Sequence, residues 1–217
     1  MCKKVVIDFE GFKYQKRNFI IKELAVYGEY QDTIYFLPPQ SFSSLSKSEQ
    51  VCYQWITKNL HGLNWESGNY PYEKLKSIFE SISLRYPLSE FYAKGKEKSD
   101  FLSSLLKRPV INLDDLGCPK IEHIPSSYYF CSRHYFQSKK FRKHCARRKS
   151  VGFFNWLREE DNGYTKTPGN SEDQFVEQFA SLSVNNKRDE SSELLHPSPR
   201  RVCRHSRWSE TSSEASN

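Results

Sequence analysis

The sequence predicts an α/β protein: a mixed sheet of five strands, three antiparallel and then two in α/β alternation, flanked by helices. Three observations predict it. Extended apolar runs crowd the first 40 residues, helical spacing sets in near residue 46, and two further strand-like runs then alternate with a helix-like one.

"VVIDFEGF", "NFIIKELAVYG" and "DTIYFLPP" are the opening strands, and "YQKRN" and "EYQD" have the composition of turns between them. Ser46 and Glu49 form a capping-box pattern before VCYQWITKNL, and Gly62 supplies a stop. Pro71 suits the first turn of PYEKLKSIFESISLRY, in which Leu75, Ile78, Phe79 and Ile82 recur at helical spacing. EFYAKG reads as the fourth strand, SDFLSSLLK as a short helix with Phe101, Leu102 and Leu105 inward, and PVINL as the fifth strand. Beyond a Cys/His-bearing connector at 117–145, a long helix is expected from about Lys139 to Glu160. Residues 1–161 thus form one domain. Residues 162–217 are rich in Ser, Pro and charge and poor in apolar side chains, which predicts a disordered tail. Within that tail, DQFVEQFASL has the pattern of a short amphipathic helix, either a docking segment for a protein partner or a stray helix.

No apolar run approaches the roughly 20 residues that span a bilayer, so no membrane partner is expected, and an intracellular protein, nuclear or cytoplasmic, is. In such a compartment the six cysteines are expected to be free or metal-bound. The net charge is +7 and uneven: residues 1–161 hold 26 Lys and Arg against 18 Asp and Glu. Much of the excess lies in "CSRHYFQSKKFRKHCARRK", with eight basic residues, no acids and three interleaved aromatics. Such a run fits a nucleic-acid partner, DNA or RNA, with Lys139, Lys140, Arg142, Lys143, Arg147 and Arg148 as candidate phosphate contacts. A solvated helix face is the bland alternative.

Asp8 and Glu10 stand one residue apart on the first strand, so they share a face. Two carboxylates near a core are costly unless cations or donors meet them, so they mark either a metal or phosphate site or an exposed strand edge. Together with "VVIDFEGF", three further stretches, "NLHGLNWESGNYPYEKLKSIFESI", "KGKEKSDFLSSLL" and "KHCARRKSVGFFNWL", resemble the motifs of DnaQ-like (DEDD-type, histidine-branch) 3′–5′ exonucleases over residues 3–158. That resemblance implies a ribonuclease H-like fold. It also implies Asp8 and Glu10 as ligands of Mg²⁺ or Mn²⁺, Asp100 as a further acid across the pocket, and His144 as general base. Lys149 stands where the family has its last Asp. An ammonium there would neutralise the acids and compete with metal, so phosphodiesterase chemistry should be impaired.

"LGCPKIEHIPSSYYFCSRHYFQSKKFRKHCA" holds a second constellation. Cys131-x-x-His134 has knuckle spacing, and with Cys118 and Cys145 it makes a candidate Cys₃His zinc set. Unligated thiols in a basic loop remain the alternative, as does His144 in place of Cys145. The Cys-Pro…Cys-x-x-His…Cys-Ala layout is similar to short uncharacterised invertebrate proteins, which adds no function. Three functions follow as expectations: a nucleic-acid-binding protein with an impaired site, an active metal-dependent 3′–5′ exonuclease, and a protein-interaction module regulated through its tail.

Overall fold

The computed structural model describes residues 3–14, 18–124, 131–135 and 137–161. The expected tail at 162–217, with its docking helix, lies outside the described residues.

A five-stranded mixed sheet forms the centre. β1 (Lys4–Tyr14) pairs antiparallel with β2 (Asn18–Tyr27), and β2 with β3 (Gln31–Tyr35). β4 (Glu90–Ala93) runs parallel to β1, and β5 (Val110–Asn112) parallel to β4. The five strands, three antiparallel and two parallel, are those the sequence predicts, and their order β3-β2-β1-β4-β5 puts β1 at the middle. Five α-helical segments accompany it after the meander: α1 (Lys47–Ile56), α2 (Leu75–Arg85), α3 (Lys96–Leu106), α4 (Ser132–Tyr135) and α5 (Lys139–Arg142). A sixth, α6 (Ala146–Asp161), packs on β1 and β2. Among the described residues no helix is long and apolar enough to cross a membrane.

The alternation along β1 decides which helix covers which face. Val5, Ile7 and Phe9 point into a core with Phe79, Ile82, Leu102 and Leu106 of α2 and α3. Each such fully buried side chain stabilises the fold by about 1.5–3 kcal/mol. The opposite face carries Val6, which packs with Phe153 and Leu157 of α6, and then Asp8 and Glu10. A bulge between Glu10 and Gly11 shifts the register, and Phe12 beyond it joins a third core with Ile20, Tyr53, Ile56 and Trp65.

α1 begins as its sequence signals: the Ser46 side chain accepts from the Glu49 amide while Glu49 returns a bond to the Ser46 N–H. It ends in a wider turn over Thr57–His61, closed by Gly62 at φ 67°. Two helices depart from expectation. α3 starts at Lys96, ahead of the "SDF" start, because Gly95 at φ 99° turns the chain directly after β4. The long helix expected from Lys139 is broken. α5 stops at Arg142, and α6 restarts at Ala146, whose amide donates to the Glu23 carboxylate at 3.1 Å. An acid at a helix start is favourable because the first N–H groups are otherwise unpaired.

Candidate functional site

Asp8 and Glu10 are 1% and 4% exposed, so the strand-edge alternative falls. Two ammonium groups meet them. Lys98 Nζ on α3 lies 2.7 Å from Asp8 Oδ1 and 3.6 Å from Glu10 Oε1, and it also donates to the Phe9 carbonyl at 2.7 Å. Lys149 Nζ on α6 lies 2.5 Å from Glu10 Oε1 and 3.9 Å from Asp8 Oδ2. Burial pushes the Glu10 carboxyl up, but Lys149 and Lys98 outweigh it and hold Glu10 well below the usual carboxylate range. For Asp8 burial wins, leaving it above its ordinary value. Lys149 is desolvated too, yet Glu10 and Asp8 raise it above an ordinary lysine, so the cation is firmly held.

His144 lies beside this cluster. Burial is the main cause that lowers its imidazole to about 4, and its Nε2 is buried without a hydrogen-bond partner. Glu10 is the largest opposing influence on the ring, but not enough to offset its burial. Asp100 does not join. Because α3 starts early, Lys98, Leu102 and Leu106 follow i, i+4, i+8 spacing inward, and two residues further round Asp100 faces away. Its side chain is 63% exposed and pairs with Lys96 at 2.9 Å. The third acid expected across the pocket is therefore replaced there by Lys98. That lysine was legible in "KEKSDFLSSLL" as the residue four and eight places before two leucines.

A second site adjoins the first. Glu23, Cys131, His134 and Cys145 are all buried, and their donor atoms lie within 4.8 Å of one another. Cys131 Sγ is 3.0 Å from His134 Nδ1, which is 3.6 Å from Glu23 Oε1, itself 3.7 Å from Cys145 Sγ. Tetrahedral ligands at bonds of 2.0–2.3 Å stand about 3.3–3.8 Å apart, so the four can hold a metal ion. His134 Nε2 faces the His61 carbonyl at 2.9 Å. Donation there turns Nδ1 toward the other three groups, where its lone pair would be available to a metal ion once the ring gives up its second proton. His61 in turn places Nε2 3.0 Å from the Gly11 carbonyl and accepts the Leu63 N–H on Nδ1. Burial lowers His61 to about 4, so it stays neutral.

The four groups shift one another's proton affinities. Burial raises Glu23 to about 7. The Cys145 hydrogen bond, with His134, draws Cys131 down to about 3. His134 is driven up to about 10, its burial outweighed by Cys131 and Glu23. In this state the His134 cation balances the Cys131 thiolate; a metal ion that took the place of the His134 proton would have to supply that balancing charge.

Cys118 is not among the four. It packs with Val6, Tyr92, Leu113 and Phe153, and burial pushes its thiol up to about 12. The connector after β5 turns at Gly117 and lays Cys118 in the apolar cluster under α6, with Val6 and Phe153. Glu23 takes the fourth place. Its signal was the charged pair inside "NFIIKELAVY", the same anomaly that marked Asp8 and Glu10. In the basic run, Lys139, Lys140 and Lys143 are exposed, whereas Arg142 donates to the carbonyls of Gln137 and Tyr135 and so partly braces the turn. Arg147 and Arg148 are half-buried. No protein-family model matches this chain, and no curated protein matches it.

Proposed function

We propose that the chain is a nucleic-acid-binding protein built on an exonuclease-like domain whose phosphodiesterase chemistry is impaired. One observation carries the reading: the acid pair Asp8 and Glu10 is already neutralised by the ammonium groups of Lys98 and Lys149. Two-metal hydrolysis needs carboxylates that gather a pair of divalent cations. Here two positive charges answer two carboxyl groups, and the one fully buried oxygen left without a hydrogen bond, Asp8 Oδ2, is too little to gather a pair of Mg²⁺ or Mn²⁺ ions. Evicting either lysine would strand a buried ion.

The tetrad is read as a zinc site, because two thiolates with an imidazole and a carboxylate suit zinc and repel magnesium. A bound zinc would supply structural closure. The protein's part is to bring β2 and the turn around Cys131 together and to present the basic run on the outside. Exposed Lys139, Lys140 and Lys143, with Arg147 and Arg148 near them, give that surface its attraction for phosphates. A nuclear or cytoplasmic setting, where thiols stay reduced, suits it.

The test uses the zinc-loaded full chain with labelled single- and double-stranded DNA and RNA. Binding is expected to weaken with salt, and Lys139→Ser/Lys140→Ser/Lys143→Ser to lower the salt slope on single strands by about 2. Mg²⁺ or Mn²⁺ is expected to produce no 3′ trimming. Metal-stimulated trimming by the wild type, lost in Glu10→Gln, would instead establish the active exonuclease.

A further inference from the structure

Tyr35 is the last residue of β3 and stands directly opposite Glu23 in the β2–β3 ladder, as Glu10 does in the β1–β2 ladder. Directly opposed residues share a face with Cβ atoms about 4.5–5.5 Å apart. One row across the sheet therefore reads Glu10, Glu23, Tyr35, all toward α6 and the metal-ligating turn. The Tyr35 hydroxyl is buried and has no hydrogen-bond partner. The hydroxyl and the Cys131 sulfur shift each other's proton affinities, although no hydrogen bond of good geometry joins them. The ring is clamped from above by Arg133, whose guanidinium carbon is 4.1 Å from the ring centroid and which is tied to Asn69 at 2.9 Å. Arg133 sits between the ligands Cys131 and His134, so the clamp fixes the phenol against the ligand pair.

A buried hydroxyl without an acceptor is costly, and phenylalanine would fill the same space without that cost. A thiolate holding a metal keeps lone pairs that accept hydrogen bonds, and such outer donors fix a ligand's orientation and tune its donor strength. We infer that Tyr35 is a positioning residue of the metal site, its O–H donating to the Cys131 sulfur once the ion is bound. The inference rests on the metal reading of the tetrad. The Cys131 sulfur also receives the His134 amide at 3.4 Å, so the phenol completes a two-donor setting for one thiolate.

The experiment uses the full chain, Co²⁺ as a spectroscopic probe and Zn²⁺ competition against a chromophoric chelator. Tyr35→Phe keeps the ring and the Arg133 clamp and removes only the donor. Its zinc affinity is expected to fall by about 10- to 100-fold. The thiolate-to-cobalt band should move to lower energy, because an unassisted thiolate gives up charge more easily. The chelated Tyr35→Phe protein is expected to unfold at the same urea concentration as chelated wild type, or a higher one. A merely structural residue would lower that midpoint. Arg133→Lys, which loosens the clamp and keeps the hydroxyl, should move the affinity less. Wild-type affinity and band position in Tyr35→Phe would overturn the inference while leaving the metal site standing. Wild-type chain that takes up no Co²⁺ would remove both.

Discussion

A lysine ammonium and a divalent metal solve the same problem for a buried carboxylate, but only one of them can leave. Lys149 and Lys98 are covalently part of the fold, with side chains 16% and 6% exposed, so their charges are permanent occupants of the acid pocket. Breaking such a pair is costly because the survivor is left buried and unpaired. Lys149→Met is expected to lower stability by about 3–5 kcal/mol, read from urea unfolding. Adding Glu10→Gln should recover much of that loss by removing the orphaned charge; a double variant no more stable than the single one would refute the pairing. His61 makes a pH-dependent contribution of calculable sign. Its folded value near 4 lies below the ordinary 6.5, so the unfolded chain binds the extra proton first. The stability that neutral His61 contributes is complete above 6.5 and is lost as pH falls toward 4. The gap in urea midpoint between wild type and His61→Gln should therefore narrow across that window.

At the scale of elements, the bulge in β1 sets the register of everything downstream. A Cβ at Gly11 would stand 2.0 Å from the Ile20 carbonyl oxygen, which is backbone and has no rotamer to yield with. Gly11→Ala is expected to cost about 1–3 kcal/mol or more, and to weaken the proposed zinc binding with it, since Glu10 and Glu23 face each other just before the bulge. Unchanged metal affinity in a destabilised Gly11→Ala would separate the bulge from the site. The strands themselves were legible because each is a compact apolar run between polar turns, and the Ser46–Glu49 cap because its chemistry is local. The acid pair was legible for the opposite reason, as charge where apolar residues were due. What hid were consequences of chain direction. The start of α3 depends on Gly95 turning sharply out of β4, and that one choice exchanges Asp100 for Lys98 at the pocket. The break before α6 depends on Glu23 meeting the Ala146 amide, a pairing 123 residues apart. Cys118 looked equivalent to its fellow cysteines until the sheet placed it under Phe153.

For the molecule as a whole, the two sites share a spine. Glu10 and Glu23 are opposed in the sheet, Cys145 immediately precedes the helix that carries Lys149, and His134 reaches the Gly11 bulge through His61. Lys139, Lys140, Arg142 and Lys143 are strung between two members of the tetrad, His134 and Cys145, so those charges are ordered only as well as the two anchors are held. On the proposed reading of the tetrad as a zinc site and the basic run as a phosphate-binding surface, chelation should then act on both stability and binding. A ligand present at a thousand times its dissociation constant stabilises the folded state by about 4 kcal/mol, so chelation is expected to lower the melting temperature by many degrees. It should also weaken nucleic-acid binding although every lysine and arginine remains. The same double loss is expected from Glu23→Gln and Cys145→Ser, which touch no basic residue, whereas Cys118→Ser should leave metal content and binding at wild-type values. Oligonucleotide titrations before and after chelation, at one fixed salt concentration, separate the outcomes. If affinity survives chelation intact, the basic run owes nothing to the tetrad, and charge alone, independent of the fold that presents it, accounts for the binding.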